Sequence, residues 1–145
     1  MKQSKKEIVL EFNAKYLYNI VLDIEKYPEY LPWCTHIEII DKNKNLITAN
    51  MMVNYKFFPT KEFTSRVEFN ENNYTIKTSY IKGPLKDLHT TWHFKQINKK
   101  KTKILFIVEF EFKNYFHQKL AELFYPLIET KMIESFIKRA ESKIS

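Results

Sequence analysis

The chain has 145 residues and carries 24 Lys+Arg against 17 Asp+Glu, a net charge of +7. Such a length fits one domain over residues 1–145, which buries roughly two-thirds of its unfolded surface and needs no disulfide or metal staple. One glycine, Gly83, argues against the Gly-rich phosphate loops of nucleotide-binding folds, and 44% hydrophobic residues exclude a disordered chain. No apolar run approaches the ~20 residues of a membrane span, and the start, Met1 to Glu7, lacks the apolar stretch of a secretory leader. Cys34 is the single cysteine, so no intrachain disulfide forms and a reducing cytosol suits the chain. Of the cationic residues only Arg66 and Arg139 are arginines, which weakens a nucleic-acid reading built on guanidinium forks.

In chain order, residues 5–12 read as a strand. Leu17, Ile20, Val21 and Ile24 then show helical spacing over Ala14 to Ile24, behind Asn13 as an N-cap. Pro28 and Pro32 bracket an aromatic turn or single helical turn from Tyr27 to Cys34. Ile37 and Ile39 begin a strand that ends in the polar turn Asp41 to Asn45. Leu46 to Phe57 is the next strand, and Phe63, Ser65, Val67 and Phe69 share one face of another. After Asn72-Asn73, Tyr74 to Ile81 alternates again, and Gly83-Pro84 breaks the pattern. Leu88, Thr90, Trp92 and Phe94 share a face. A basic hairpin tip, Asn98 to Lys103, leads to a last strand from Leu105 to Lys113. From Tyr115 to Lys143, Phe116, Leu120, Leu123, Leu127, Phe136, Ile137 and Ala140 recur at three- and four-residue steps, a long helix with a kink expected near Leu123 because of Pro126. This order predicts an α+β fold with a curved antiparallel sheet of about seven strands around the terminal helix.

No catalytic constellation stands out. His89 and His93 lie four steps apart on a strand, ~13 Å, too far to share a metal ion. Cys34 and His36 share a strand face by parity, yet no orienting third group is visible, and a buried inert thiol beside Trp33 fits better. Glu109 and Glu111 face away from Val108 and Phe110, as solvated partners for lysine. The lysines at 99–101 and 103, with Lys2, Lys5 and Lys6, suit either an anionic surface or a solvated hairpin tip. Trp92, Phe94, Phe106, Phe110, Phe124 and Leu127 all project toward the sheet–helix interior, as ordinary core or as the lining of an apolar cavity.

The segment Tyr27-Pro28-Glu29-Tyr30-Leu31-Pro32-Trp33-Cys34 resembles the signature of the coenzyme-Q-binding START-like family, which also includes the RatA-type ribosome-association toxins. Phe63-Thr-Ser-Arg-Val67, Gly83-Pro84 ahead of Trp92, Val108-Glu-Phe-Glu-Phe112 and Phe136-Ile-Lys-Arg-Ala140 stand in the same order. The resemblance implies a helix-grip fold around a lipid-sized cavity. It implies non-enzymatic binding of ubiquinone or a related polyprenyl lipid in support of respiratory electron transfer, in the cytoplasm and at the periphery of an anionic inner membrane. By position, Tyr27, Trp33 and Arg66 are assigned to the polar quinone end, and Leu31 joins the aromatic set above as lining. The toxin branch implies the alternative, a ribosomal subunit as partner. A polyketide-cyclase-like enzyme rests on fold analogy alone.

Overall fold

The structure, a computed structural model, describes residues 2–55 and 58–144. The strands are β1 (Lys2–Leu10), β2 (Cys34–Lys42), β3 (Leu46–Tyr55), β4 (Phe58–Asn70), β5 (Thr75–Lys82), β6 (Leu85–Asn98) and β7 (Lys101–Phe112). They form one seven-stranded antiparallel sheet in the order β1-β7-β6-β5-β4-β3-β2. Phe57, the expected end of the third strand, lies outside the described residues. Register shifts in the β2–β3, β3–β4, β4–β5 and β6–β7 pairs are bulges that bend the strands and curl the sheet.

Between β1 and β2 the chain crosses the concave face as α1 (Ala14–Leu22) and a 3-10 turn over Ile24–Glu29. Asn13 caps α1, its side-chain oxygen accepting from the Lys15 and Tyr16 amides at 2.8 and 3.3 Å. The helix is pinned to the sheet at this end. The Ala14 amide donates to Gln96 Oε1 at 2.8 Å, and the buried Thr102 hydroxyl donates to the Phe12 carbonyl at 2.7 Å. Pro28 sits inside the 3-10 turn, which begins at Ile24, upstream of the turn expected from Tyr27 to Cys34, and ends at Glu29.

After β7, α2 (Tyr115–Ile144) runs for 30 residues over the concave face and continues through Pro126. Its C-terminal half holds the turn and α1. Phe136 meets the rings of Tyr27 and Tyr30 edge-on at 5.6 and 5.4 Å, the Arg139 guanidinium lies 4.9 Å over Tyr30, and the Tyr16 hydroxyl donates to the Ala140 carbonyl. The N-terminal half faces β1 with a polar group, the buried carboxylate of Glu129, which accepts from Ser4 Oγ at 3.0 Å and from the Tyr125 hydroxyl at 2.9 Å. The sheet, the crossing helix and the gripping helix are those the order of elements predicts. Among the described residues no helix is long and apolar enough to cross a membrane.

Gly83 is required at the β5–β6 turn. Its φ of +150° disfavours any side chain, and a Cβ there would come within 2.9 Å of the Glu62 carbonyl and 3.0 Å of the Tyr80 hydroxyl. That hydroxyl already accepts from the Leu85 amide at 2.9 Å. Gly83→Ala is expected to lower stability by about 1–3 kcal/mol in urea unfolding. An unchanged midpoint would show that the turn relaxes freely.

Candidate functional site

The concave face carries the inward residues of each strand, as the two-residue period dictates. On the β2–β5 side they leave a cavity of about 80 Å³. Its sheet wall is Ile37, Ala49, Met51, Phe63, Ser65, Val67, Ile76 and Thr78, while Val21, Ile24 and Tyr27 close it from the helix side and Trp92 from β6. A second, smaller apolar space of about 20 Å³ lies toward β1 and β7, bordered by Ile8, Leu10, Phe94, Ile104, Phe106, Ile133 and Phe136. Val21 and Trp92 border both, so these two side chains stand between the spaces, the Trp92 indole being the larger. It lies parallel to Phe94 at 5.8 Å, tilted on Phe106 at 4.3 Å and edge-on to Phe136 at 5.3 Å.

Three polar side chains reach the larger cavity. The Tyr27 hydroxyl is already engaged, donating to the Val21 carbonyl. Burial, reinforced by Tyr30, Cys34 and Asp23, raises its pKa well above the usual phenol range, so it stays neutral. Ser65 and Thr78 are the other two, both half-buried. Among the described residues the wall holds no His, Cys, Asp, Glu or Lys, and no cluster of such side chains could hold a metal ion.

The residues expected at the site fall into three groups. Tyr27 and Trp92 line the larger cavity, and Phe94 and Phe106 line the smaller one. Leu31 and Phe110 are buried in the core outside both, with the Phe110 ring tilted against Tyr125 at 5.2 Å, while Trp33 and Phe124 are partly buried and border neither. Arg66 and Leu127 require correction. Arg66 alternates with Ser65 and Val67, which face inward, so its side chain is exposed on the convex face. Leu127 is 44% exposed. The buried strip of α2 runs through Ala121, Glu129, Ile133, Phe136 and Ala140, and Leu127 lies outside it with Phe116 and Leu123, which are also exposed.

Parity also fails at the start of β2. A register shift between Cys34 and His36 turns the thiol inward and leaves the imidazole exposed, so the two share no face. The Cys34 side chain is 2% exposed, and burial pushes its thiol up from 9.0 to about 11. Because the folded value is the higher one, the protonated thiol stabilises the fold below pH 9, and that contribution is lost as pH rises toward 11. Urea unfolding of the wild type is therefore expected to weaken between pH 8 and 10.5 more than that of Cys34→Ala. Equal losses would remove the thiol from the account. The other acid–base pairing is as expected, with Glu111 at 3.1 Å from Lys86 on the solvent side. His89 pairs with Asp87 at 3.0 Å on β6.

Of the wall residues, only Tyr27 and Trp92 were among the expected site residues, and the polar ones that sequence reasoning passed over are Ser65 and Thr78. The signal was present, since Ser65 sits between Phe63 and Val67 on an otherwise apolar face.

Residues 10–137 match the family described as polyketide cyclase / dehydrase and lipid transport. The chain is 32% identical over 139 residues to the ribosome association toxin RatA of Rickettsia prowazekii, with 94% of each covered. It is 29% identical over 143 residues to the mitochondrial coenzyme Q-binding protein COQ10 of Dictyostelium discoideum, covering 97% of this chain and 68% of that one. A START superfamily protein from Mycobacterium smegmatis superposes with a TM-score of 0.84 at 14% identity, covering 97% of each chain, a likeness of fold alone.

Proposed function

This chain belongs to the polyketide cyclase / dehydrase and lipid transport family and has a START-like fold, and from that premise we propose that it binds ubiquinone or a related polyprenyl lipid as a carrier without chemistry of its own. The observation that carries this reading is the larger cavity. Among the described residues its wall is apolar except for Tyr27, Ser65 and Thr78, with no acid, base or nucleophile beyond hydroxyl groups. The coenzyme Q-binding name of the Dictyostelium relative supports it.

At about 80 Å³ the cavity is smaller than the roughly 300–1,000 Å³ of drug-sized sites, so the ligand must widen it. Two elements can yield. Trp92 divides the cavity from the smaller apolar space beyond it, into which an isoprenoid tail would extend. The first half of α2 also exposes Tyr115, Phe116, Leu123 and Leu127 instead of burying them. Beside Lys113 and Lys119, this apolar strip is the face that would meet an anionic bilayer while a lipid passes, which supports reading the protein as a carrier that works at the cytoplasmic face of a membrane and serves respiratory electron transfer.

Solvent extraction of the purified protein followed by mass spectrometry tests the reading. A quinone or prenyl lipid is expected to co-purify, or an added one to raise the melting temperature. If neither happens, the reading fails.

A second reading, binding to a ribosomal subunit, is favoured by the mutual 94% coverage with the Rickettsia RatA protein. The lysine tip at the exposed Lys99 and Lys100 between β6 and β7 would meet ribosomal RNA, with affinity falling steeply with salt. Sedimentation of ribosomes with the protein at low and moderate salt tests this, and unchanged subunit association would remove it.

A further inference from the structure

We infer that the cavity selects a ligand whose head group bears hydrogen-bond-accepting oxygens on a compact ring, held by the Ser65 and Thr78 hydroxyls, over an isoprenoid hydrocarbon without such a head. This rests on the ligand-binding reading above and adds the chemistry of recognition to it.

The β4–β5 register sets Val67 opposite Thr78 and Ser65 opposite Tyr80. Ser65 and Thr78 are therefore diagonal neighbours on the concave face, about 7–8 Å apart. Phe63, Val67, Ile76 and Trp92 surround them in the same wall. Elsewhere Thr102 donates to the Phe12 carbonyl, Ser4 to Glu129 and Tyr27 to the Val21 carbonyl, while the buried Tyr18 and Tyr30 hydroxyls have no hydrogen-bond partner but do not border this cavity. Among the described residues, Ser65 and Thr78 make no side-chain hydrogen bond, although both face the cavity.

A hydroxyl left unpaired against apolar surroundings is costly, and a ligand oxygen in reach recovers that cost. Each hydroxyl offers one donor on a rotor, and a diagonal pair can serve two acceptor oxygens carried by one ring. A hydrocarbon that fills the same space leaves both unpaired, and a site built to hydrogen-bond its ligand discriminates strongly against an analogue lacking the partner atoms. Arg66, on the opposite face of the same strand, cannot take this part.

The experiment uses the full chain and two probes, a ubiquinone analogue with a decyl tail and farnesene, an isoprenoid hydrocarbon without oxygen. Binding is read from thermal shift for both and from tryptophan quenching for the quinone. Wild type is expected to bind the quinone more tightly than farnesene. Ser65→Ala and Thr78→Val are each expected to weaken the quinone by roughly tenfold while leaving farnesene unchanged or tighter. Ser65→Thr and Thr78→Ser, which keep the hydroxyl, are expected to retain quinone binding and so separate recognition from packing. If the quinone affinity survives in the double variant, or if both probes weaken together, the inference is overturned while the binding reading stands. If wild type binds neither probe and no lipid co-purifies, the binding reading falls and takes the inference with it.

Discussion

Replacing Trp92 with alanine is expected to cost about 3–5 kcal/mol of folding stability, the range for removing a large buried ring. The indole is 8% exposed and contacts Phe94, Phe106 and Phe136, so its loss empties a site bounded by three other rings that cannot all close in. In a domain of this size that corresponds to a fall of about 10–15 °C in melting temperature. The same change removes the partition between the two apolar spaces and joins them. An apolar ligand that fills the joined cavity is therefore expected to return part of the lost stability, as dry engineered cavities accept apolar guests. Urea unfolding with and without ligand measures both effects. A loss below 1 kcal/mol would mean that the surrounding rings repack and that Trp92 divides nothing.

Phe136→Ala should be nearly as severe, at about 3–5 kcal/mol, for a different reason. Phe136 is the side chain of α2 that touches the 3-10 turn and the sheet together, with ring centroids 5.6 Å from Tyr27, 5.4 Å from Tyr30 and 5.3 Å from Trp92. The neighbouring link, the Arg139 guanidinium donating to Glu29 at 3.2 Å, is solvent-facing on the Glu29 side and adds little by itself. Without Phe136, α2 should loosen from the turn, and amide exchange should rise along its C-terminal half before the sheet is affected. Because Phe136 and Trp92 are in contact, their double variant should depart from additivity by about 0.5–1.5 kcal/mol. Strict additivity, or exchange rising equally in sheet and helix, would contradict this account of how the helix is held.

Much of the architecture was legible because its causes are local. The alternation through Phe63, Ser65, Val67 and Phe69 marks β4, and the same parity sets the inward face of β7 through Phe106, Val108 and Phe110. Asn13 caps α1 as its position suggests. The misjudged positions are those where neighbours in space decide. β1 starts at Lys2, three residues before the expected Lys5, because β7 continues to Phe110 and offers partners for it. The bulge at the start of β2 reverses the parity that would have joined Cys34 to His36. On α2, spacing alone merged Leu123 and Leu127 with Phe136 into one apolar face, yet the sheet receives the strip through Ala121, Glu129 and Ile133.

The aromatic, nearly glycine-free composition and its alternating pattern determined that the chain would build a sheet gripped by its last helix, since strand and helix periods are properties of local backbone geometry. They also determined that an apolar interior would exist. Which side chains border empty space within that interior was decided only in three dimensions. A cavity is the volume that packed elements fail to fill, and it depends on how the strands curl and where the helix rests. Ser65 and Thr78, thirteen residues apart in sequence, came to be diagonal neighbours across paired strands, and Arg66, one residue from Ser65, came to face solvent.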